Sequence, residues 1–216
     1  MAAVFIGGFS KTVPSDFTQT NPSLPLLLHV HGAVFTLWVL VFVAQPAFIT
    51  RGSLRLHRKI GWLGAGLAVA MTVMALIATY LAIHDRFVPS FFPPRIFLVM
   101  NTIGALRFAA LVTAGIRLRK RAEWHKRMML CATVSILGPG LGRLLPMGSF
   151  GAAAPLVMFA VSTCFALAGP TFDLVTRRRI HPAYLWGVVT IVATDLSIPL
   201  VAFSPPAGML LRAIQG

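Results

Sequence analysis

Three histidines of this chain occupy the same kind of position. His57 lies in "RLHRKIGWLG", His125 in "EWHKRMMLCA" and His181 in "TRRRIHPAYLW", each where a basic stretch gives way to an apolar one. Each is expected at or just before the N-terminus of a helix. There the partial positive charge of the helix end and the adjacent Arg and Lys favour the neutral imidazole, the form that ligates a metal. Asp173, two turns before the third basic stretch, completes a three-histidine, one-carboxylate set of a type suited to zinc or iron. The pattern therefore predicts a metal site of His57, His125, His181 and Asp173, or a b-type haem held by the histidines, with redox chemistry or metal-assisted hydrolysis as its use. No single segment carries a metal motif such as HExxH. Histidines at an interface also cap helices or meet lipid phosphates, and that ordinary role stays open.

A second pair of residues stands deeper. Arg107 and Asp195 fall roughly 15 and 18 Å from the basic ends of their apolar segments at 1.5 Å per residue. An unpaired Arg at the centre of a bilayer costs about 3 kcal/mol even on the lenient insertion scale. An Arg107–Asp195 ion pair is the economical expectation, either as a clasp between two spans or as part of a proton or substrate pathway. Local breaks at "QP" (45–46), "GPG" (138–140) and "GP" (169–170) would assist a pathway, because proline frees a backbone carbonyl. A third layer, nearer the opposite ends of the segments, holds His31, Asn101 and Arg143, with His29 and His84 close by. His29 and His31 are two apart, about 200° around a helix at 3.6 residues per turn, so they cannot both face one ion. His31 is the better inward candidate.

The elements that must position these residues are membrane spans. The chain has 216 residues, 57% hydrophobic and 11% charged, well below the roughly 25% charged of a soluble domain. Apolar segments at roughly 26–49, 60–83, 95–117, 126–146, 153–175 and 183–204 are each long enough to cross about 30 Å of hydrocarbon. The expected fold is thus an all-α, polytopic transmembrane bundle of six helices arranged as three hairpins. Residues 1–25 form a periplasmic or interfacial lead-in, 26–204 the transmembrane domain and 205–216 a short tail. The connections "RGSLRLHRK", "RLRKRAEWHKR" and "TRRRIHP" are dense in Lys and Arg, whereas "HDRFVPSFFPP" and "PMGSFGAAAP" are not. The first three are expected in the cytoplasm and both termini outside. Trp62, Trp124 and Trp186 beside the basic loops suit an interfacial aromatic belt. The net charge of +14, from 19 Lys and Arg against five Asp and Glu, follows from these loops and anionic lipid headgroups without invoking nucleic acid. Cys131 and Cys164 lie in apolar segments with no CxxC, so neither a disulfide framework nor a c-type haem is expected.

"LLHVHGAVFTLWVLVFVAQ", "LHRKIGWLGA", "EWHKRMMLCATVSILGPGLGRL" and "FDLVTRRRIHPAYLWG" together resemble a widespread group of small six-span bacterial inner-membrane proteins with no established biochemical activity. The likeness runs from about residue 26 to 190 and implies a multi-pass protein of the bacterial inner (plasma) membrane. His31, His57, His125, Arg143, Asp173 and His181 fall in the matching segments. A weaker similarity, to cytochrome b561-like bundles, implies b-type haem on histidines near span ends. With the outer side relying on His29, His31 and His84, one inner haem fits that pattern better than two. Three functions are expected in turn: a metal- or haem-binding membrane protein, a structural or assembly subunit of a larger membrane complex, and a proton-coupled transporter using Arg107 and Asp195. Membrane lipids, and a homodimer or larger complex, are the expected partners.

Overall fold

The computed structural model describes residues 2–10 and 26–216; most of the expected lead-in lies outside them, as does the His29 side chain. The described chain is all α-helical. Helix α1 (Ala2–Ser10) is followed by α2 (Leu26–Thr50), α3 (Leu54–His84), α4 (Pro94–Arg117), α5 (Ala122–Val134), α6 (Gly138–Leu144), α7 (Met147–Phe150), a 3-10 turn (Gly151–Ala153), α8 (Ala154–Arg177), α9 (Pro182–Ala202) and α10 (Pro205–Gln215). Proline at the first turn of α4, α6, α8, α9 and α10 sits where a missing N–H is harmless. Five segments are long and apolar enough to cross a membrane: Val30–Thr50, Leu54–His84, Pro94–Arg117, Met147–Arg177 and Pro182–Ala202. The chain is a polytopic membrane-spanning helical bundle.

The continuous span expected over 126–146 is instead two short helices. Pro139 has no N–H to return to the Ser135 carbonyl four residues earlier, and glycines flank it. Helix α5 therefore ends at Val134, and α6 restarts at Gly138. α5 packs against α4, α8 and α9, with Met128, Cys131, Ala132 and Thr133 nearly inaccessible. Its approach to α9 is close because Gly187 faces Cys131; a Cβ at 187 would overlap the cysteine side chain. Around it pack Phe108, Leu137 and Ile191. Large apolar side chains such as Leu185, Val189, Leu196 and Leu200 of α9 stay exposed, as a lipid-facing surface requires.

The three basic connections meet at one end of the bundle. His57 of α3 faces His125 of α5 with ring centroids 6.2 Å apart, and Arg177 at the end of α8 bonds Glu123 at the start of α5 at 3.0 Å. At the other end α1 lies across α6. Gly8 approaches Gly140 so closely that a Cβ on Gly8 would stand 2.5 Å from the Gly140 carbonyl oxygen.

Candidate functional site

The three histidines share one end of the bundle, yet each is committed to its own structural task. His181 is the N-cap of α9: its backbone is extended and its Nδ1 accepts the Ala183 N–H at 3.1 Å. Its ring stands edge-on to Trp124 with centroids 5.4 Å apart. Burial, then the nearby Arg127 charge, lowers its pKa below the usual histidine value, which keeps the capping nitrogen unprotonated. His125 lies in the first turn of α5, with Nδ1 2.8 Å from the Gly115 carbonyl of α4, so that nitrogen carries the proton and donates. His57 lies in the first turn of α3 beside Gln45. With the Gln45 amide oxygen accepting from the Gly61 N–H (3.1 Å), its NH2 group faces the His57 carbonyl (3.2 Å) and Nδ1.

Asp173 is not a ligand in waiting. Both of its carboxylate oxygens are taken by Arg127, through Nε at 2.9 Å and Nη2 at 2.7 Å, in the forked geometry that makes Arg–carboxylate pairs strong. It also accepts the His181 backbone N–H at 3.3 Å. Among the described residues no group of three or more His, Cys, Asp or Glu side chains is placed to hold a metal ion. Neither of the two concavities that stand out on the surface is lined by His57, His125 or His181. The expected zinc, iron or haem centre is therefore corrected. The histidine nitrogens and the carboxylate converge on backbone groups and an arginine, not on a shared point.

What occupies this end instead is an ion-pair network centred on Arg127, which sequence reasoning missed. Its side chain is only 2% exposed. Besides Asp173 it bonds Glu123 in the same helix, at 3.0 Å to the carbonyl and 2.5 Å to Oε2. Its guanidinium carbon lies 5.3 Å from the Tyr184 ring centroid, a cation–π distance. Arg177 closes the ring from α8, 3.0 Å from Glu123 and 3.6 Å from Asp173. Lys126, then Arg127, hold the Glu123 carboxyl down at about 2 through hydrogen bonds. The network ties the start of α5 to the end of α8 and the start of α9. The signal for it was present: Glu123 and Arg127 are four apart on one helix face, and five carboxylates among 19 cations meet an arginine far more readily than a metal.

The Arg107–Asp195 pair joins three segments of chain. Arg107 of α4 donates through Nη1 to Asp195 and to Thr194 Oγ1 (3.0 Å) and the Ile191 carbonyl (3.2 Å) of α9. Through Nη2 it donates to the Ser135 carbonyl at 3.1 Å, at the joint between α5 and α6. The two side chains are 8% and 12% exposed. Both ends of this arrangement lie four residues before a proline. Pro139 frees the Ser135 carbonyl that Arg107 takes up, and Pro199 inside α9 removes the donor that would reach the Asp195 carbonyl. His31 Nδ1, Trp38 Nε1, Arg107 Nε and Thr163 Oγ1 are buried without a hydrogen-bond partner among the described residues.

The third layer does not assemble into a site of its own. His31 lies beside Phe35, with centroids 6.4 Å apart, close enough to Arg143 for their charges to interact. Arg143 is exposed and bonds the Pro139 carbonyl at 2.9 Å within its own helix. Asn101 likewise turns to its own helix, donating to the Phe97 carbonyl at 2.8 Å. His84 bonds Asp85 at 2.7 Å and stacks on Tyr80. No family model, curated protein or solved structure matches the chain.

Proposed function

We propose that this chain is a proton-coupled membrane transporter whose working element is the Arg107–Asp195 pair. The observation that carries the reading is the reach of Arg107 from Asp195 to the Ser135 carbonyl exposed by the α5–α6 break. Discontinuous helices with unwound carbonyls near midplane are where secondary transporters place substrate and coupling-ion sites. Intramembrane ionisable residues are functional by default. A proton arriving at Asp195 removes the negative partner of Arg107 and weakens the hold between α9 and the α5–α6 joint. The Arg127–Asp173–Glu123–Arg177 network then serves as a closure at the basic end, fixing the start of α5 while its far end loosens.

The same reading takes α5 and α6 together as an interrupted fourth crossing, about 34 Å over 23 residues at 1.5 Å each. That gives six passes in three hairpins with the basic loops in the cytoplasm and both termini outside, in a bacterial inner membrane. Six passes are few for a stand-alone carrier, so a homodimer is part of the proposal.

The test is proton flux. Purified protein in liposomes loaded with a pH-sensitive dye, under a potassium–valinomycin potential, is expected to admit protons faster than protein-free vesicles, and Asp195→Asn is expected to abolish the excess. Wild-type vesicles no faster than empty ones, or full flux in Asp195→Asn, would sink the transport reading. If Asp195→Asn lowers stability with no flux to lose, the pair is a clasp.

A further inference from the structure

We infer that the start of α3 is a headgroup site for an anionic phospholipid. Helix α3 has 31 residues, about 46 Å at 1.5 Å per residue, against about 30 Å of hydrocarbon. Its first turns therefore project into the headgroup region at the basic end of the bundle. Arg55, Arg58, Lys59 and Trp62 follow one another at spacings of three, one and three, so Arg55 shares a helix face with the other three. With Leu54 they line a single concavity of about 370 Å³. Trp62 is 66% exposed and Leu54 47% exposed, which sets an indole and an aliphatic chain on either side of three cations. That surface combines exposed apolar side chains with three cations, the pairing an interfacial phosphodiester with acyl chains requires.

The other basic connections do not offer the same surface. Four of the five carboxylates of the chain lie among the described residues, and each is already engaged: Asp85 by His84, Asp195 by Arg107, Asp173 by Arg127, and Glu123 by Lys126, Arg127 and Arg177. The second and third basic connections spend part of their charge on Glu123 and Asp173. Arg55, Arg58 and Lys59 have no ion pair and no side-chain hydrogen bond among the described residues. Ser53, the N-cap of α3, makes no capping bond with its side chain. The positive end of the helix axis thus adds to the three side-chain charges. The complement is a phosphate group, and the apolar flanks select a lipid over a free phosphate ion. This site is independent of proton transport and stands or falls separately.

The experiment is native mass spectrometry of the purified full chain in detergent, titrated separately with phosphatidylglycerol, phosphatidylcholine and inorganic phosphate. Phosphatidylglycerol is expected to bind at least tenfold more tightly than phosphatidylcholine. The triple variant R55Q/R58Q/K59Q is expected to erase that preference, since each cation near a charged surface contributes about fivefold. R178Q/R179Q, which thins the third basic connection instead, is expected to keep it within twofold. R55K/R58K retains charge and is expected to retain binding, which guards against a triple variant that fails to fold. Trp62→Ala is expected to weaken the lipid several-fold. Equal loss in the triple and R178Q/R179Q variants would overturn the site in favour of diffuse loop charge. Displacement of the lipid by inorganic phosphate at matching concentration, or no preference for phosphatidylglycerol, would overturn it as well.

Discussion

Replacing Arg127 by Met isolates the network at the basic end. The substitution preserves volume and helix propensity but removes the fork to Asp173, both bonds to Glu123 and the contact with Tyr184. Removing one partner of a buried pair typically costs about 3–5 kcal/mol, mostly because the other charge is left stranded. Here Asp173, 3% exposed as a side chain, would keep the His181 N–H at 3.3 Å and Arg177 at 3.6 Å. That partial compensation places the expected loss near the lower bound, about 3 kcal/mol. Replacing both members, Arg127→Met with Asp173→Leu, leaves no stranded charge and is expected to recover to within about 1 kcal/mol of the parent. Equilibrium unfolding in mixed micelles with increasing SDS, followed by tryptophan emission, reads both numbers, since Trp124 lies against His181. A single substitution costing under about 1 kcal/mol, or a double one as costly as the single, would refute the assignment of a buried, mutually dependent pair.

Three further outcomes follow from the same geometry. Gly187→Ala is expected to destabilise by about 1–3 kcal/mol through overlap with Cys131; Gly187→Ala with Cys131→Ala should recover only part of it, because the Cβ at 131 also lies 2.8 Å from the added methyl, whereas Gly187→Ala with Cys131→Gly removes both contacts, measured by thermal unfolding in detergent. His181 has a lowered folded pKa, so folded protein binds its proton less readily than unfolded. Stability should be intact above about pH 6.5 and fall as pH drops from there through the folded value. His181→Asn, which caps without titrating, should flatten that slope in a pH series of melting curves. Glu123 has the same sign in a lower pH window: depressed to about 2, it supports the fold above the usual carboxylate range and loses that support as pH falls toward 2. The Glu123 side chain is 45% exposed, so Glu123→Gln is expected to cost less than about 1 kcal/mol while reducing the acid limb in the same melts, the remainder belonging to Asp173, whose carboxylate Arg127 also holds.

How much of this was readable beforehand differs by element. Long apolar runs cross a bilayer for reasons of length and polarity alone, so α2, α3, α4, α8 and α9 were visible as runs. The fourth segment was not, because its apolar content reads as one stretch whereas Pro139 acts on a carbonyl four residues back. The depth count put Arg107 and Asp195 at one level, and the structure places them together. The same count put Asp173 with three histidines, and there depth misled. Residues at one level on four helices need not point at one another, and direction around each helix is set by packing, such as the Gly187–Cys131 contact, that no single segment encodes. Arg127 went unnoticed because it stands in a basic stretch, where one guanidinium turned inward looks like its solvated neighbours.

The shortness of α5 bears on how the chain is made. Leaving the ribosome, the segment around Arg127 carries charge and too few apolar residues to partition into lipid by itself, and the two acidic residues that will neutralise the arginines of α4 and α5 lie in α8 and α9, still to be synthesised. The buried position of Arg127 is therefore complete only once α8 has been made, since its forked partner Asp173 lies there. A chain truncated after α7 would leave Arg127 without Asp173 and Arg107 without Asp195, two guanidiniums with no carboxylate from a later helix to meet.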